Sequence, residues 1–215
     1  MPALPAFIAF TGLDTPDLIP GLIRLSQRYP IEWGILIDDT RKDDPLFPDA
    51  AARQRFLETP GLRFAAHVCG QAAHEIANAP DAACIDLSGF QRVQVNHSFA
   101  GSTAAQIEHT VRFGRRNGIR MLLQCSETFP EDSRLDWLFD TSFGTGQAPA
   151  RWPALPNGPF CGFSGGIGPH NAAEVVRAIN APKGRLYWID MESRIRTDGW
   201  LDLIKCERVC REVYG

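Results

Sequence analysis

The segment Phe160-Cys161-Gly162-Phe163-Ser164-Gly165-Gly166-Ile167-Gly168-Pro169-His170-Asn171 combines three features that together can hold an anion. Residues 160–163 are a short apolar run suited to a buried strand, and Ser164-Gly165-Gly166 turns the chain. Residues 172–179 then repeat Val175, Val176 and Ile179 at helical spacing. Glycine lets backbone approach a ligand closely, and the open N–H groups and positive end of a following helix point at whatever sits there. The plainer reading of the same residues is a tight strand-to-helix turn with nothing bound.

Other reactive types follow apolar runs elsewhere in the chain. Asp140 is placed to carry a proton or merely to cap the next turn. Cys69, before Gly70, is a buried small hydrophobe or a thiol that does chemistry. His97 has a side chain whose titration needs little tuning to serve as a base, or it is a loop histidine bonded to backbone. Asp38 and Asp39 read as solvated loop charges, and His74 and His109 as surface residues of helices. No His, Asp or Glu set has metal-ligand spacing, so no metal and no cofactor are expected.

The elements that must position these residues alternate. Strands are predicted over 7–10, 32–37, 62–68, 92–96, 120–124, 135–139, 160–163 and 186–189. Helices are predicted from a Thr15-Pro16-Asp17 cap toward Gln27, with Pro20-Gly21 implying a late start or a kink, and over 49–57, 71–78, 102–117, 172–179 and 200–214. Ser102 is the natural cap of the fourth helix and Gly118 its stop. The connection 141–159 holds glycine and proline with room for one helical turn.

Eight short buried strands, most followed by a helix, predict a single (β/α)8 TIM barrel in α/β class; an open doubly wound sheet rarely fits eight strands in 215 residues. A barrel gathers its strand ends into one ring, here Thr11, Asp38, Cys69, Asn96 with His97, Gln124 with Cys125, Asp140, the 164–168 loop and 190–193. The glycine turn then follows strand seven, where barrels commonly hold phosphate, and this position favours the anion site over the empty turn.

Composition bounds the rest. Apolar content of 44% and charged content of 22% are globular values, and a net charge of −3 without a basic stripe excludes the usual nucleic-acid binder. No apolar run approaches the ~18 residues of a membrane span. The first residues lack the basic region of a secretory signal. Six scattered cysteines, with Cys206 and Cys210 sharing a helix face as buried thiols, suit a reduced, cytoplasmic protein.

Several segments together resemble phosphoribosylanthranilate isomerase, a barrel enzyme of tryptophan biosynthesis. Ser164-Gly-Gly-Ile-Gly-Pro-His-Asn171 is similar to its seventh-strand phosphate loop, and Ile189-Asp190-Met191-Glu192-Ser193 to its eighth-strand segment. Asp198-Gly199 through Leu203-Ile204 is similar to the lead into its last helix. Leu138-Phe139-Asp140-Thr141 with Gly144-Thr145-Gly146 and Trp152 resembles the sixth strand and its glycine loop, Val93–Asn96 the fourth strand and Phe7–Leu13 the first. The likeness runs end to end and is strongest over 140–202.

The resemblance implies an Amadori rearrangement of a phosphorylated aminosugar, with Asp140 as general acid. It implies phosphate held by Ser164, Gly165, Gly166, Gly168 and Ser193, with Asp190 beside the substrate. The family's base, a cysteine, falls at Thr11, whose hydroxyl titrates far too high to accept a proton near neutrality. The arginine for the substrate carboxylate has only Arg41 or Lys42 as out-of-register candidates. Glu192 replaces a small residue near the phosphate and would repel it unless it points away. Three readings stay open: an isomerase or lyase of a small phosphorylated sugar-like metabolite, the family's own reaction with a base relocated to Cys69 or His97, and a non-catalytic barrel binding a phosphorylated metabolite or a partner protein. Oligomeric state is left open.

Overall fold

Short apolar runs, buried on both faces, form eight parallel strands that close in chain order into a barrel in this computed structural model, which describes residues 2–41, 43–98, 101–142 and 145–215. Lys42, Phe143 and Gly144 lie outside the described residues. The strands are β1 (Phe7–Thr11), β2 (Ile31–Ile37), β3 (Phe64–Val68), β4 (Arg92–Val95), β5 (Arg120–Cys125), β6 (Asp136–Phe139), β7 (Cys161–Phe163) and β8 (Tyr187–Met191). Helices α1 (Ile19–Ser26), α2 (Ala50–Leu57), α3 (Gly70–Asn78) and α4 (Ala104–Asn117) follow the first four strands, and α5 (Ala172–Ile179) and α6 (Leu203–Tyr214) follow the last two. The expected barrel class is therefore present.

Local chemistry explains where elements differ from expectation. Pro20 lacks an N–H and fits only a first turn, so a short 3-10 turn at Pro16–Leu18 comes first and α1 starts late. The cap of α4 is Thr103 rather than Ser102, in a reciprocal box with Gln106, while Ser102 bonds His97; Gly118 ends the helix at φ 64°. No helix follows β6 among the described residues, because Pro149, Pro153, Pro156 and Pro159 interrupt that connection. Trp152 from this connection packs edge-on against Phe139 and Phe163 on the barrel's outside, so it does not plug the mouth. The predicted start of the last helix at Trp200 is also displaced. Asp198 and Gly199 both adopt positive φ, making a tight turn that pairs β9 (Arg196–Thr197) with β10 (Trp200–Leu201), and α6 begins only after its Asp202 cap.

Alternate strand residues face the barrel interior. At the N-terminal end this interior is ionic. Arg92 on β4 bridges Glu32 on β2 and Asp136 on β6, and Arg63 and Arg120 reach the same carboxylates from outside. The Arg92 guanidinium lies 4.1 Å from the Trp188 ring centroid and 5.2 Å from that of Phe7. Above this floor Phe7, Ala9, Leu122, Leu138 and Trp188 form a small apolar layer. Gly162 on β7 leaves the space that the Trp188 indole fills. The larger apolar core lies between strands and helices and includes Cys206 and Cys210, both fully buried. No helix among the described residues is long and apolar enough to cross a membrane.

Candidate functional site

The C-terminal ends of the strands surround a cavity of about 390 Å³. All strands except β1 contribute lining residues at or just beyond their ends, and the loop after β2 folds over one side through Leu46 and Phe47.

On the β7 side the chain turns through Gly165 at φ 111° and Gly166 at φ 63°, conformations a side chain would strain. A Cβ on Gly166 would also lie 2.6 Å from the backbone nitrogen of Ala148, so the glycine is needed for close packing of the loop after β6. Ser164 N–H is used by Phe139 O at 2.8 Å. Among the described residues, the N–H groups of Gly165, Gly166 and Ile167 meet no protein acceptor, and all three residues line the cavity. Asn171 fixes this arc, accepting from Gly168 N–H at 2.8 Å and donating to Gly166 O at 2.9 Å. Gly168 is therefore a packing glycine against Arg194, outside the lining, with its N–H already used. The N–H groups of Asn171 and Ala172 beyond it are used too, both donating to Gly168 O. Ser164 and Ser193 line the cavity on either side.

Asp140 stands at the end of β6, nearly buried and in the cavity wall. Its Oδ1 accepts from the N–H and hydroxyl of Ser142, both at 2.8 Å, and its Oδ2 faces Gln124 Nε2 at 3.4 Å. It thus caps its own turn and faces the mouth at once.

The position expected to hold a base is organised differently. Thr11, buried below the cavity, donates its hydroxyl to Asp190 Oδ1 at 2.7 Å. Its oxygen lies 3.4 Å from His67 Nε2 on β3. With the hydroxyl proton committed to Asp190, the remaining lone pair suits the N–H of a neutral His67. Burial and the charge of Arg92 lower His67 to about 3, so the ring is neutral near pH 7. Gly34 makes room for this line of groups, since a Cβ there would lie 2.5 Å from Thr11 Oγ1 and 3.0 Å from His67 Nε2. Asp190 itself is raised to about 7, chiefly by burial, with the Thr11 bond opposing and Glu192, Asp140 and Glu32 adding repulsion.

On the remaining side lie Asp38, Cys69, Gln94, Asn96, Arg41 and Glu192. Burial pushes the Cys69 thiol up, only partly opposed by the bond from Asn96 Nδ2 to its sulfur at 3.3 Å, so it is a poor source of thiolate. Arg41 is paired with Asp44 and stacked at 4.1 Å on Phe47. Glu192 lines the cavity, so it does not point away as an anion site would prefer. Burial raises it, and the charges acting on it are Arg196, Asp140, Arg41 and Asp44. His97 is not brought into the cavity; its Nε2 is bonded to Ser102 Oγ at 2.8 Å, and burial lowers it.

Two residues escaped the sequence reading, His67 and Gln94. Both lie two positions before a residue of the expected ring, Cys69 and Asn96, so period-two alternation along a strand contained the signal. Asp190, expected only beside the substrate, lies within β8 rather than past its end, and burial there gives it its altered acidity. No group of three His, Cys, Asp or Glu among the described residues is arranged to hold a metal.

Comparison with known proteins places the chain by shape. No protein-family profile matches it and no curated protein sequence is similar to it. Phosphoribosyl anthranilate isomerase from Thermococcus kodakaraensis is similar in structure at TM-score 0.59 and 16% identity, over 98% of this chain and 99% of that one. A monomeric form of phosphoribosylanthranilate isomerase from Thermotoga maritima gives TM-score 0.62 at 12% identity, over 97% and 98%. 3-hexulose-6-phosphate synthase from Salmonella typhimurium gives TM-score 0.53 at 11% identity, over 96% and 98%. The shared fold is thus a barrel of the phosphoribosylanthranilate isomerase kind.

Proposed function

We propose that the chain is a barrel isomerase or lyase acting on a small phosphorylated, sugar-like metabolite. The observation that carries this is one cavity walled on the β7 side by three N–H groups without acceptors and on the β6 and β8 sides by Asp140 and Asp190. The N–H groups of Gly165, Gly166 and Ile167, with the hydroxyls of Ser164 and Ser193, match the oxygens of a phosphate. The solved structures similar in fold include enzymes named for phosphorylated substrates, which supports the same class.

Asp190 takes the role for which Thr11 is unsuited. A carboxyl group titrating at about 7 is well matched to removing a proton at neutral pH, and the line from His67 through Thr11 holds it in one orientation. Asp140, two strands round the cavity wall, donates its own proton to the neighbouring atom of the substrate, and the two carboxyl groups then exchange protons with solvent to reset. This geometry also offers a relocated base for the rearrangement of phosphoribosylanthranilate. The carboxylate of that substrate would nonetheless meet Asp38 and Glu192, with Arg41 already paired to Asp44, so negligible activity on it is expected.

The binding half is tested by thermal shift with inorganic phosphate and phosphosugars. A ligand at a hundredfold excess over its Kd stabilises by about 2.7 kcal/mol. Gly166→Asp would strain the turn itself, so Ser193→Asp, an exposed site, is the cleaner block. Absence of any shift with the native chain, or a shift unchanged in Ser193→Asp, sinks the phosphate site. Once a substrate is found, Asp190→Asn and Asp140→Asn should each lower kcat by about 10²–10⁴ with phosphate affinity kept. Turnover should rise with pH through about 7, as Asp190 ionises. A barrel that only binds would show no turnover on any phosphosugar that shifts its melting.

A further inference from the structure

The line from His67 through Thr11 to Asp190 runs from β3 over β2 to β1 and on to β8, and its protons can be placed one by one. Thr11 Oγ1 and Asp190 Oδ1 are 2.7 Å apart, so one proton lies between them, and with Asp190 ionised the hydroxyl supplies it. Thr11 Oγ1 then keeps a lone pair toward His67 Nε2 at 3.4 Å, a longer contact that a neutral ring meets as donor. The line passes over β2 at Gly34, which sits in register with Thr11 and has no side chain to come between the two.

What the line leaves over is Oδ2 of Asp190. No described residue donates a hydrogen bond to it. The enclosed side-chain atoms without partners among the described residues are Asp14 Oδ1, Glu32 Oε2 and Gln94 Oε1, and Asp190 Oδ2 is not one of them. Asp190 lines the cavity, so the open space its second oxygen reaches is the cavity.

Resting on the reading of Asp190 as the base, we propose that Thr11 and His67 are its positioning residues, committing Oδ1 and leaving Oδ2 as the oxygen that takes the substrate's proton. Thr11 thus stands at the expected base position as a donor, and the base itself has moved one strand, to β8. When the substrate's C–H bond breaks, the electron pair stays with the substrate and the proton joins Oδ2. The Thr11 bond to Oδ1 persists in both charge states, so no group of the line has to turn during the step. That bond is stronger to the carboxylate than to the acid, and so opposes the burial and the repulsion from Glu192, Asp140 and Glu32 that raise Asp190. The His67 N–H polarises the Thr11 oxygen and makes its hydroxyl the better donor.

The test is the carboxyl carbon NMR signal of Asp190, identified by its loss in Asp190→Asn and followed as pH is raised. In the native chain its midpoint should be about 7. Thr11→Val, nearly isosteric but without a hydroxyl, should raise the midpoint by about one pH unit, and Thr11→Ser should leave it in place. Thr11→Cys, which installs the residue of the resembled family, should behave like Thr11→Val, because a thiol donates weakly. His67→Leu should raise the midpoint by about half as much, and by nothing further in the Thr11→Val background. A merely structural role would lower the melting temperature of these variants without moving the midpoint. An unmoved midpoint in Thr11→Val or Thr11→Cys, or a His67→Leu shift that persists in the Thr11→Val background, overturns the proposal. If Asp190 of the native chain titrates near about 4 instead, the reading of it as the base falls, while the Thr11→Val shift decides the line separately.

Discussion

The two ends of the barrel interior use the same residue type to opposite effect. At the N-terminal floor, Glu32 and Asp136 are 1% and 2% exposed, and three guanidiniums serve them, Arg92 from within and Arg63 and Arg120 from the rim. At the C-terminal mouth, Asp38, Asp140, Asp190 and Glu192 share one cavity in which Arg41 is the cation among the described lining residues and is paired with Asp44. The floor is balanced and covered by the Trp188 and Phe7 rings. The mouth is unbalanced and open. Buried charges matched within the fold tie its strands together, whereas carboxylates gathered around a cavity are placed to face a ligand.

The sharpest way to break this contrast is to unbalance the floor. Arg92→Met leaves two buried carboxylates with only half-exposed partners, and should lower unfolding stability in urea by about 3–5 kcal/mol. A loss below 1 kcal/mol would mean that the floor is not electrostatically matched in the way described.

Relief of the mouth should have the opposite sign. Because the folded state holds Asp190 near 7, far above its unfolded value, stability is full below about pH 4 and is lost as pH rises toward 7. The groups facing it are Thr11, His67, Asp140, Glu192 and Glu32. Asp190→Asn should therefore be more stable than the native chain at pH 8, by about 2–4 kcal/mol, and equal to it near pH 4. Parallel stability curves across that range would remove the basis for Asp190 as a base. The native protein then trades stability for function at the pH where turnover is expected to rise.

The smallest effect should come from the rim. Arg63→Ala removes the half-exposed partner of Glu32 while Arg92 remains, and should cost about 1 kcal/mol or less, decreasing further in salt. A loss as large as that of Arg92→Met would show the floor to depend on its rim rather than its centre.

Much of this architecture was legible in the chain itself. Apolar runs and caps place all eight strands, the helix over Ala172–Ile179 coincides with its expectation, and Gly118 stops α4 because glycine takes the left-handed turn without strain. Thr103 displaced Ser102 as the cap since both residue types can cap, and only the reciprocal bond with Gln106 separates them. The Asp198-Gly199 turn carried a hairpin signal that the apolar spacing of the last helix obscured.

Strand order also gathers Asp38, Cys69, Asn96, Gln124, Asp140, the glycine turn and Asp190 into one ring, because a closed parallel barrel leaves strand ends no other place. Whether a residue in that ring is spent or perturbed depends on the partner the fold gives it, near or far in sequence. Thr11 is spent on Asp190, 179 positions on, His97 on Ser102, and Gly168 on Asn171. Local pattern determines where a side chain starts and which face it takes. Its acidity and hydrogen-bond state arise from burial and neighbouring charge, which only the closed barrel brings together.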